Sequence, residues 1–290
     1  MEYRVNQARG TGYNLSVPGA KRIRNWKHMT AFLTARQLIE EVRYFLSEHA
    51  WLRRAPSVLV LGVYLADRKN HVQHIVRELS RSLQYRVIQK WICIGGGPPD
   101  REVERVTVDR IVGRAPKFVL MNRLLTAHTA SKFEFVLLCD DDILLPTGFI
   151  DNFLGFQNKY DFALAQPART PGSNIDHAIV KQAPGVKARH TRFVEIGPVV
   201  SIRRDMLPLI TPFDESTPMG WGLDYIWPVI AENNGLRLGI VDATPVDHSL
   251  RPAAAAYSGA EAQQAQDMLL SRVPHLSYEE AYQVLDTYRN

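Results

Sequence analysis

The chain has 290 residues, 46% hydrophobic and 22% charged, the proportions of a globular protein and not of a disordered, collagen-like or coiled-coil chain. Its net charge of +5 is carried by residues 1–27, where Arg4, Arg9, Lys21, Arg22, Arg24 and Lys27 face Glu2 alone. The balanced remainder argues against a nucleic-acid-binding surface. No apolar run reaches the roughly 20 residues of a membrane span, and no secretory signal is visible at the N-terminus. Cys93 and Cys139 lie in apolar segments and cannot build a disulfide framework, so a reducing cytoplasm is expected.

The first 28 residues show no sustained period and read as a basic arm. The arm is either solvated or meets an anionic membrane surface or an acidic acceptor. A helix follows, with Ala35, Leu38, Ile39, Val42, Phe45 and Leu46 on one face and a capping box at Thr34 and Gln37. Residues 57–65 form a continuous Val/Leu run, the pattern of a strand buried on both faces. Val72, Ile75, Val76, Leu79 and Leu83 mark an amphipathic helix. A second strand spans 86–94 and ends at Gly95-Gly96-Gly97, and a short third is expected at 104–108. A helix over 118–127 precedes a buried strand at 133–139. Strands and helices alternating at this spacing predict a mostly parallel sheet with helices on its faces. Shorter strands are expected at 162–166, 193–202 and 236–241, and a helix at 224–232. The tail from 253 reads as helical, with a second capping box at Ser277 and Glu280.

The most informative segment is Val136-Leu137-Leu138-Cys139-Asp140-Asp141-Asp142-Ile143-Leu144-Leu145-Pro146. Three carboxylates directly follow a buried strand, and in open α/β sheets ligands bind beyond the carboxyl ends of strands. Adjacent carboxylates repel one another, and a hard divalent cation such as Mg²⁺ or Mn²⁺ relieves that repulsion. Asp140 and Asp142, two apart, point to one side of an extended chain. An acidic turn is the plainer alternative.

An apolar strand, an Asp-X-Asp and a nearby proline resemble the metal- and nucleotide-sugar-binding motif of GT-A fold glycosyltransferases. Gly220-Trp221-Gly222-Leu223-Asp224 is similar to the acceptor-site segment of inverting members, and His248 follows a strand where such enzymes often place a further metal ligand. From 192 to 248 the chain also resembles an uncharacterised family of plant and bacterial proteins presumed to be glycosyltransferases. The resemblance implies an α/β GT-A fold and a Mn²⁺ or Mg²⁺ ion held by Asp142 and His248, with Asp140 assisting. It implies that the ion bridges the diphosphate of a nucleotide sugar, with a UDP-sugar the default donor. Asp140 and Asp141, Lys117 and Asn122 on the preceding helix, and Asp67 and Arg68 after the first strand would contact the nucleotide. Trp221, Gly222 and Glu195 would meet a glycan or other hydroxyl acceptor, with Asp224 as general base of an inverting transfer. Asp224 as a helix N-cap is the plainer reading. Arg251 and Tyr257 would close over the diphosphate, or pack as part of the tail.

The implied organisation is a basic arm and helix (1–55), a GT-A domain (56–252, dividing at 146 into nucleotide and acceptor halves) and a helical tail (253–290). Two other classes share the sheet: a nucleotidyltransferase and a non-catalytic sugar- or nucleotide-binding module. His71 and His74, three apart on a helix, lack a third ligand nearby and read as a solvated face. The glycines at 95–97 lack a phosphate-loop Lys-Ser/Thr.

Overall fold

The computed structural model describes residues 55–126, 131–252 and 257–289. The basic arm and the helix with its Thr34–Gln37 box lie outside the described residues, and so does any membrane contact made through them. Among the described residues, no helix is long and apolar enough to cross a membrane.

Nine strands form one sheet. The first half is a parallel unit: β1 (Ser57–Leu65) lies between β2 (Arg86–Ile94) and β4 (Phe135–Cys139), and β3 (Thr107–Ile111) flanks β2. β7 (Val199–Arg203) runs antiparallel to both β4 and β5 (Phe162–Arg169). Beyond them, β8 (Arg237–Val246) is parallel to β5, and β6 (Ala188–Thr191) is antiparallel to β8 and to the edge strand β9 (Val284–Tyr288). The spatial order is β3-β2-β1-β4-β7-β5-β8-β6-β9. The expected parallel α/β sheet is therefore found in the first half and becomes mixed in the second.

Strand alternation divides the core into two layers. On β1, Val58 and Val60 face Ile75 of helix α1 (Val72–Leu79), while Leu59 and Leu61 join the layer containing Phe118. Both faces are covered, so the strand is apolar throughout and not alternating. Gly62 is required where the two layers crowd: a Cβ there would lie 2.2 Å from the buried Trp91 ring.

Three boundaries differ from the sequence reading. Asp100 accepts a hydrogen bond from Glu102 N and starts a one-turn helix, α2 (Arg101–Glu104), which delays the third strand to 107. The strand expected at 193–202 begins only at 199, as β7; residues 192–198 are a loop between β6 and β7 that carries Glu195 to the cavity. The tail holds its expected helices, α7 (Gly259–Leu270) and α8 (Tyr278–Ala281), but then adds β9 to the sheet. The Ser277–Glu280 capping box forms, yet its helix lasts one turn before the β-prone Val-Leu-Asp-Thr-Tyr run takes over. Three longer helices complete the layers, α3 (Lys117–Leu124), α4 (Phe149–Lys159) and α6 (Leu223–Asn233), with the one-turn α5 (Leu207–Ile210) before the last.

Candidate active site

β4 ends at Cys139, and the three aspartates that follow take three different partners. Asp140 N bonds back to Pro198 O, and its carboxylate pairs with Lys117 Nζ at 2.6 Å. Asp141 turns inward and is 3% exposed. Its Oδ2 accepts from Leu65 N at 2.8 Å, its carbonyl accepts from His71 N at 2.6 Å, and Oδ1 pairs with Arg251 Nη2. Asp141 therefore ties the end of β1 to the acidic loop. Burial pushes its carboxyl up to about 6 against the pull of Arg251. Asp142 pairs through Oδ1 with His248 Nε2 at 3.2 Å and through Oδ2 with Arg251 Nε at 3.1 Å. Despite burial, the bonds from His248 and Arg251 hold its carboxyl below the usual range.

Local pairing explains why Asp142 meets a residue 106 positions away in sequence. Leu144 and Asp247 form a two-way antiparallel bridge (Leu144 N to Asp247 O, 2.9 Å; Asp247 N to Leu144 O, 3.2 Å). The bridge staples the acidic loop to the segment after β8, two residues beyond Asp142 and one before His248. The sequence offers no sign of it, because a two-residue bridge has no periodicity.

On the other side of His248, Arg169 Nη1 lies 2.7 Å from Nδ1. Arg169, at the end of β5, is 2% exposed. It also pairs through Nη2 with Glu195 and donates to the carbonyls of Gly197 (3.0 Å) and Asn174 (3.2 Å). Sequence reasoning missed this residue. A strand expected to stop at 166 places Arg169 in a loop, whereas β5 continues through Pro167 and is buried along its whole length. An arginine ending a fully buried strand was the available signal, since such a charge is rare without a partner.

Glu195 is 4% exposed. Burial pushes its carboxyl up to about 8, against the pull of Arg169 and with help from the charges of Asp224 and Asp176. Asp224 stands in the first turn of α6. Its helix is capped by Gly222 (φ 94°), so Asp224 is not the N-cap. It is 5% exposed, and its Oδ1 is buried without a hydrogen-bond partner. Burial raises its carboxyl from the ordinary 3.8 to about 7, while backbone N–H groups of Asp224, Gly222 and Tyr225 pull the other way. Gly220, with φ 86°, brings the preceding turn against Phe118: a Cβ would lie 2.1 Å from that ring. Trp221 Nε1 donates to Tyr257 Oη at 3.0 Å, and the two rings stand nearly perpendicular, 6.4 Å apart.

These groups border one open cavity of about 820 Å³. It brings together Asp67, Arg68, Lys117, Asp140, Asp141, Asp142, Glu195, Trp221, Asp224, His248, Arg251 and Tyr257, twelve of the fourteen residues singled out from sequence. Two are not on its wall. Asn122 faces away, with Nδ2 on Phe213 O and Glu215 and Oδ1 accepting from Phe213 N, so it pins the 213–215 loop. Gly222 packs against Gln266 and Leu270 of α7. Arg169, Asp176 and His177 also line the cavity and were not foreseen. Asp67 spends its carboxylate on Gly96 N (3.1 and 3.3 Å), joining the ends of β1 and β2.

Asp142 Oδ1 and His248 Nε2 have the spacing of two ligands on one octahedral cation, since ligands each about 2.1 Å from such an ion stand about 3 Å apart. Among the described residues no group of three or more His, Cys, Asp or Glu side chains converges on one point. The protein thus offers two ligands, and Asp140 is held by Lys117 instead of joining them. A guanidinium can only donate, so His248 Nδ1 accepts from Arg169 and the imidazole proton of the neutral ring sits on Nε2, facing Asp142. To hold a cation at Nε2 the neutral ring would have to carry its proton on Nδ1 instead, with Arg169 Nη1 released from Nδ1 and Arg251 from Asp142. With these rearrangements the pair fits a hard divalent ion that completes its shell with water and phosphate.

No family model matches the chain, and no curated protein does. Solved structures do. GalNAc-T7 with UDP, GalNAc and Mn²⁺ aligns over 75% of this chain and 48% of its own, with a TM-score of 0.51 and 10% identity. Glucosyl-3-phosphoglycerate synthase from Mycobacterium tuberculosis, with Mn²⁺, UDP and glucosyl-3-phosphoglycerate, aligns over 80% and 85% of the two chains, with a TM-score of 0.50 and 16% identity. The same enzyme with Mg²⁺ and UDP aligns over 79% and 83%, with a TM-score of 0.50 and 14% identity. The chain spans about half the length of GalNAc-T7 and most of the length of the synthase. What it shares with both is the fold, and this chain has the α/β GT-A architecture.

Proposed function

We propose that the protein is a divalent-metal-dependent glycosyltransferase that moves a sugar from a nucleoside-diphosphate sugar, by default a UDP-sugar, to an acceptor hydroxyl with inversion. The observation that carries this reading is the meeting, on one cavity, of the Asp142–His248 pair and the buried carboxyl of Asp224. GT-A neighbours crystallised with UDP and Mn²⁺ or Mg²⁺ support it.

Asp142 and His248 would hold the ion, which when bound supplies Lewis-acid neutralisation of the departing diphosphate. Arg251 and Lys117, now spent on the aspartates, are the cations best placed to turn to phosphate oxygens, because each sits on the cavity wall beside the acidic loop. Arg68 lies on the same wall. Trp221, fixed by its bond to Tyr257, gives an apolar face against which a sugar ring stacks. Asp224 takes the proton from the acceptor hydroxyl as its oxygen attacks the anomeric carbon. The C–O bond to diphosphate breaks on the opposite face and its electron pair leaves with the nucleoside diphosphate. A carboxyl raised to about 7 suits this role, because a base titrating near the working pH is both ionised and basic.

The test is calorimetric titration of UDP with and without Mn²⁺, followed by release of UDP from UDP-glucose, UDP-galactose and UDP-N-acetylglucosamine. Metal-supported UDP binding is expected, with slow UDP release from at least one donor. Metal-indifferent UDP binding would refute the metal's role. Release of pyrophosphate would make the chain a nucleotidyltransferase, and binding without turnover would make it a binding module.

A further inference from the structure

The two ends of the cavity differ in charge. Arg68, Arg114 and Lys117 line the wall that follows the parallel half of the sheet, the end where a diphosphate is expected. The wall built from the second half carries Asp176, Glu195 and Asp224, joined by Glu261 from α7. Among the described residues, the second half of the fold brings two permanent cations to the cavity: Arg251, which sits at the acidic loop on Asp141 and Asp142, and Arg169 on this wall, which is already committed. Both of its Nη atoms are spent on Glu195, His248 and the carbonyls of Gly197 and Asn174, and its Nε is sealed from solvent. His177 is held neutral by burial, and its Nδ1 is bonded to Tyr282 Oη.

What remains on this wall for a ligand is flat apolar surface and oxygen acceptors. Trp221 and Tyr257 supply perpendicular ring faces. Glu195 Oε1 has His177 Nε2 as a neighbour only at 3.8 Å, too long for a hydrogen bond, so the oxygen keeps its lone pairs. Asp224 brings a carboxyl with an unpartnered oxygen. Ring faces satisfy the C–H side of a sugar, and carboxylate oxygens satisfy hydroxyl donors. A phosphate or carboxylate on the acceptor would find no uncommitted cation on this wall and would face the like charges of Asp176 and Glu261, an arrangement that costs several-fold in affinity.

Resting on the glycosyltransferase reading above, we propose that the acceptor is an uncharged sugar or sugar-like polyol and that the acceptor wall rejects phosphorylated and carboxylated hydroxyl compounds. The second wall is built to discriminate against anions, while the first wall is built to receive one.

The experiment uses the full chain saturated with UDP and Mn²⁺. Methyl glycosides of glucose, galactose, mannose and N-acetylglucosamine are titrated by ligand-observed NMR, each beside its 6-phosphate. At least one neutral glycoside is expected to bind, with its 6-phosphate at least tenfold weaker. Asp176→Asn, a change at an exposed position, is expected to shrink that ratio severalfold, whatever its effect on the neutral glycoside alone. A 6-phosphate that binds as well as its neutral partner overturns the inference, and so does a failure of every neutral glycoside to bind. An unchanged ratio in Asp176→Asn also counts against it. Loss of UDP binding in the same samples would instead refute the glycosyltransferase reading itself, so the two failures are told apart.

Discussion

Asp224→Asn should raise stability and abolish most activity in the same molecule. Between its ordinary 3.8 and its folded value of about 7, the folded protein keeps a proton that the unfolded chain has lost. Folding is therefore penalised progressively from pH 4 to 7 and by a constant amount above that. At about 1.4 kcal/mol per pH unit the full penalty is about 4 kcal/mol. Asparagine carries no charge and escapes it. Its amide, however, places an N–H where Oδ1 has no partner, a loss of about 1–3 kcal/mol. The net expectation at pH 8 is a gain of about 1–3 kcal/mol, turning to a loss of about 1–3 kcal/mol near pH 4, where the wild-type carboxyl is neutral too and only the cost of the amide remains. Sugar transfer should fall by about 10²–10⁴, the worth of a general base, with UDP binding intact because Asp142 and His248 are untouched. Urea unfolding at pH 4.5 and 8, together with initial rates of transfer, tests both halves. A variant less stable than wild type at pH 8, or one that transfers at wild-type speed, refutes the reasoning.

If Asp224 is the base, the pH–rate profile should rise about tenfold per unit below pH 7 and level off above it, because only its carboxylate form would accept the proton; a flat profile from 5 to 8 would remove Asp224 as base. Asp142→Asn and His248→Ala should each weaken Mn²⁺-supported UDP binding at least tenfold without altering metal-free UDP binding, as calorimetry would show. Arg251→Ala frees Asp141 and Asp142, so Mn²⁺ alone should bind more tightly while UDP in the presence of Mn²⁺ binds about 10–100-fold more weakly, and paramagnetic titration separates the two. Gly62→Ala forces a methyl into the Trp91 ring and should cost about 1–3 kcal/mol, or several degrees of Tm by calorimetry, with the site's metal affinity unchanged in the folded fraction.

The parallel half of the fold was legible because its signal is local. A nine-residue apolar run such as Ser57–Leu65 has few alternatives to a doubly buried strand, and the acidic triplet sits at the strand end where its apolar neighbours stop. The second half of the sheet was less legible because its elements are defined by partners distant in sequence. β6 has four residues and exists by pairing with β8 and β9; nothing in Ala-Arg-His-Thr itself dictates a strand. At the site, Asp224 and His248 could be picked out by residue type and order. Arg169 could not, because its importance lies in bonds to His248, Glu195 and Gly197, all far along the chain. Asn122 was misplaced for the opposite reason: its helix is close to the acidic loop, but the side chain points to the 213–215 loop.

One guanidinium touching both His248 and Glu195 has a thermodynamic consequence. With a cation on Nε2, the neutral ring would lose its Nε2 proton and take one up at Nδ1, and because two donors cannot share a bond Arg169 would have to let go of His248. The freed Nη1 has Asn174 O as its other partner, while Nη2 stays on Glu195. Whatever this does to the affinity of the acceptor wall for its sugar, linkage requires the sugar to do equally to the affinity of the loop for metal and nucleotide. On the proposed reading, donor and acceptor would then bind with a shared interaction energy and not independently, and where that energy is favourable each would tighten the binding of the other.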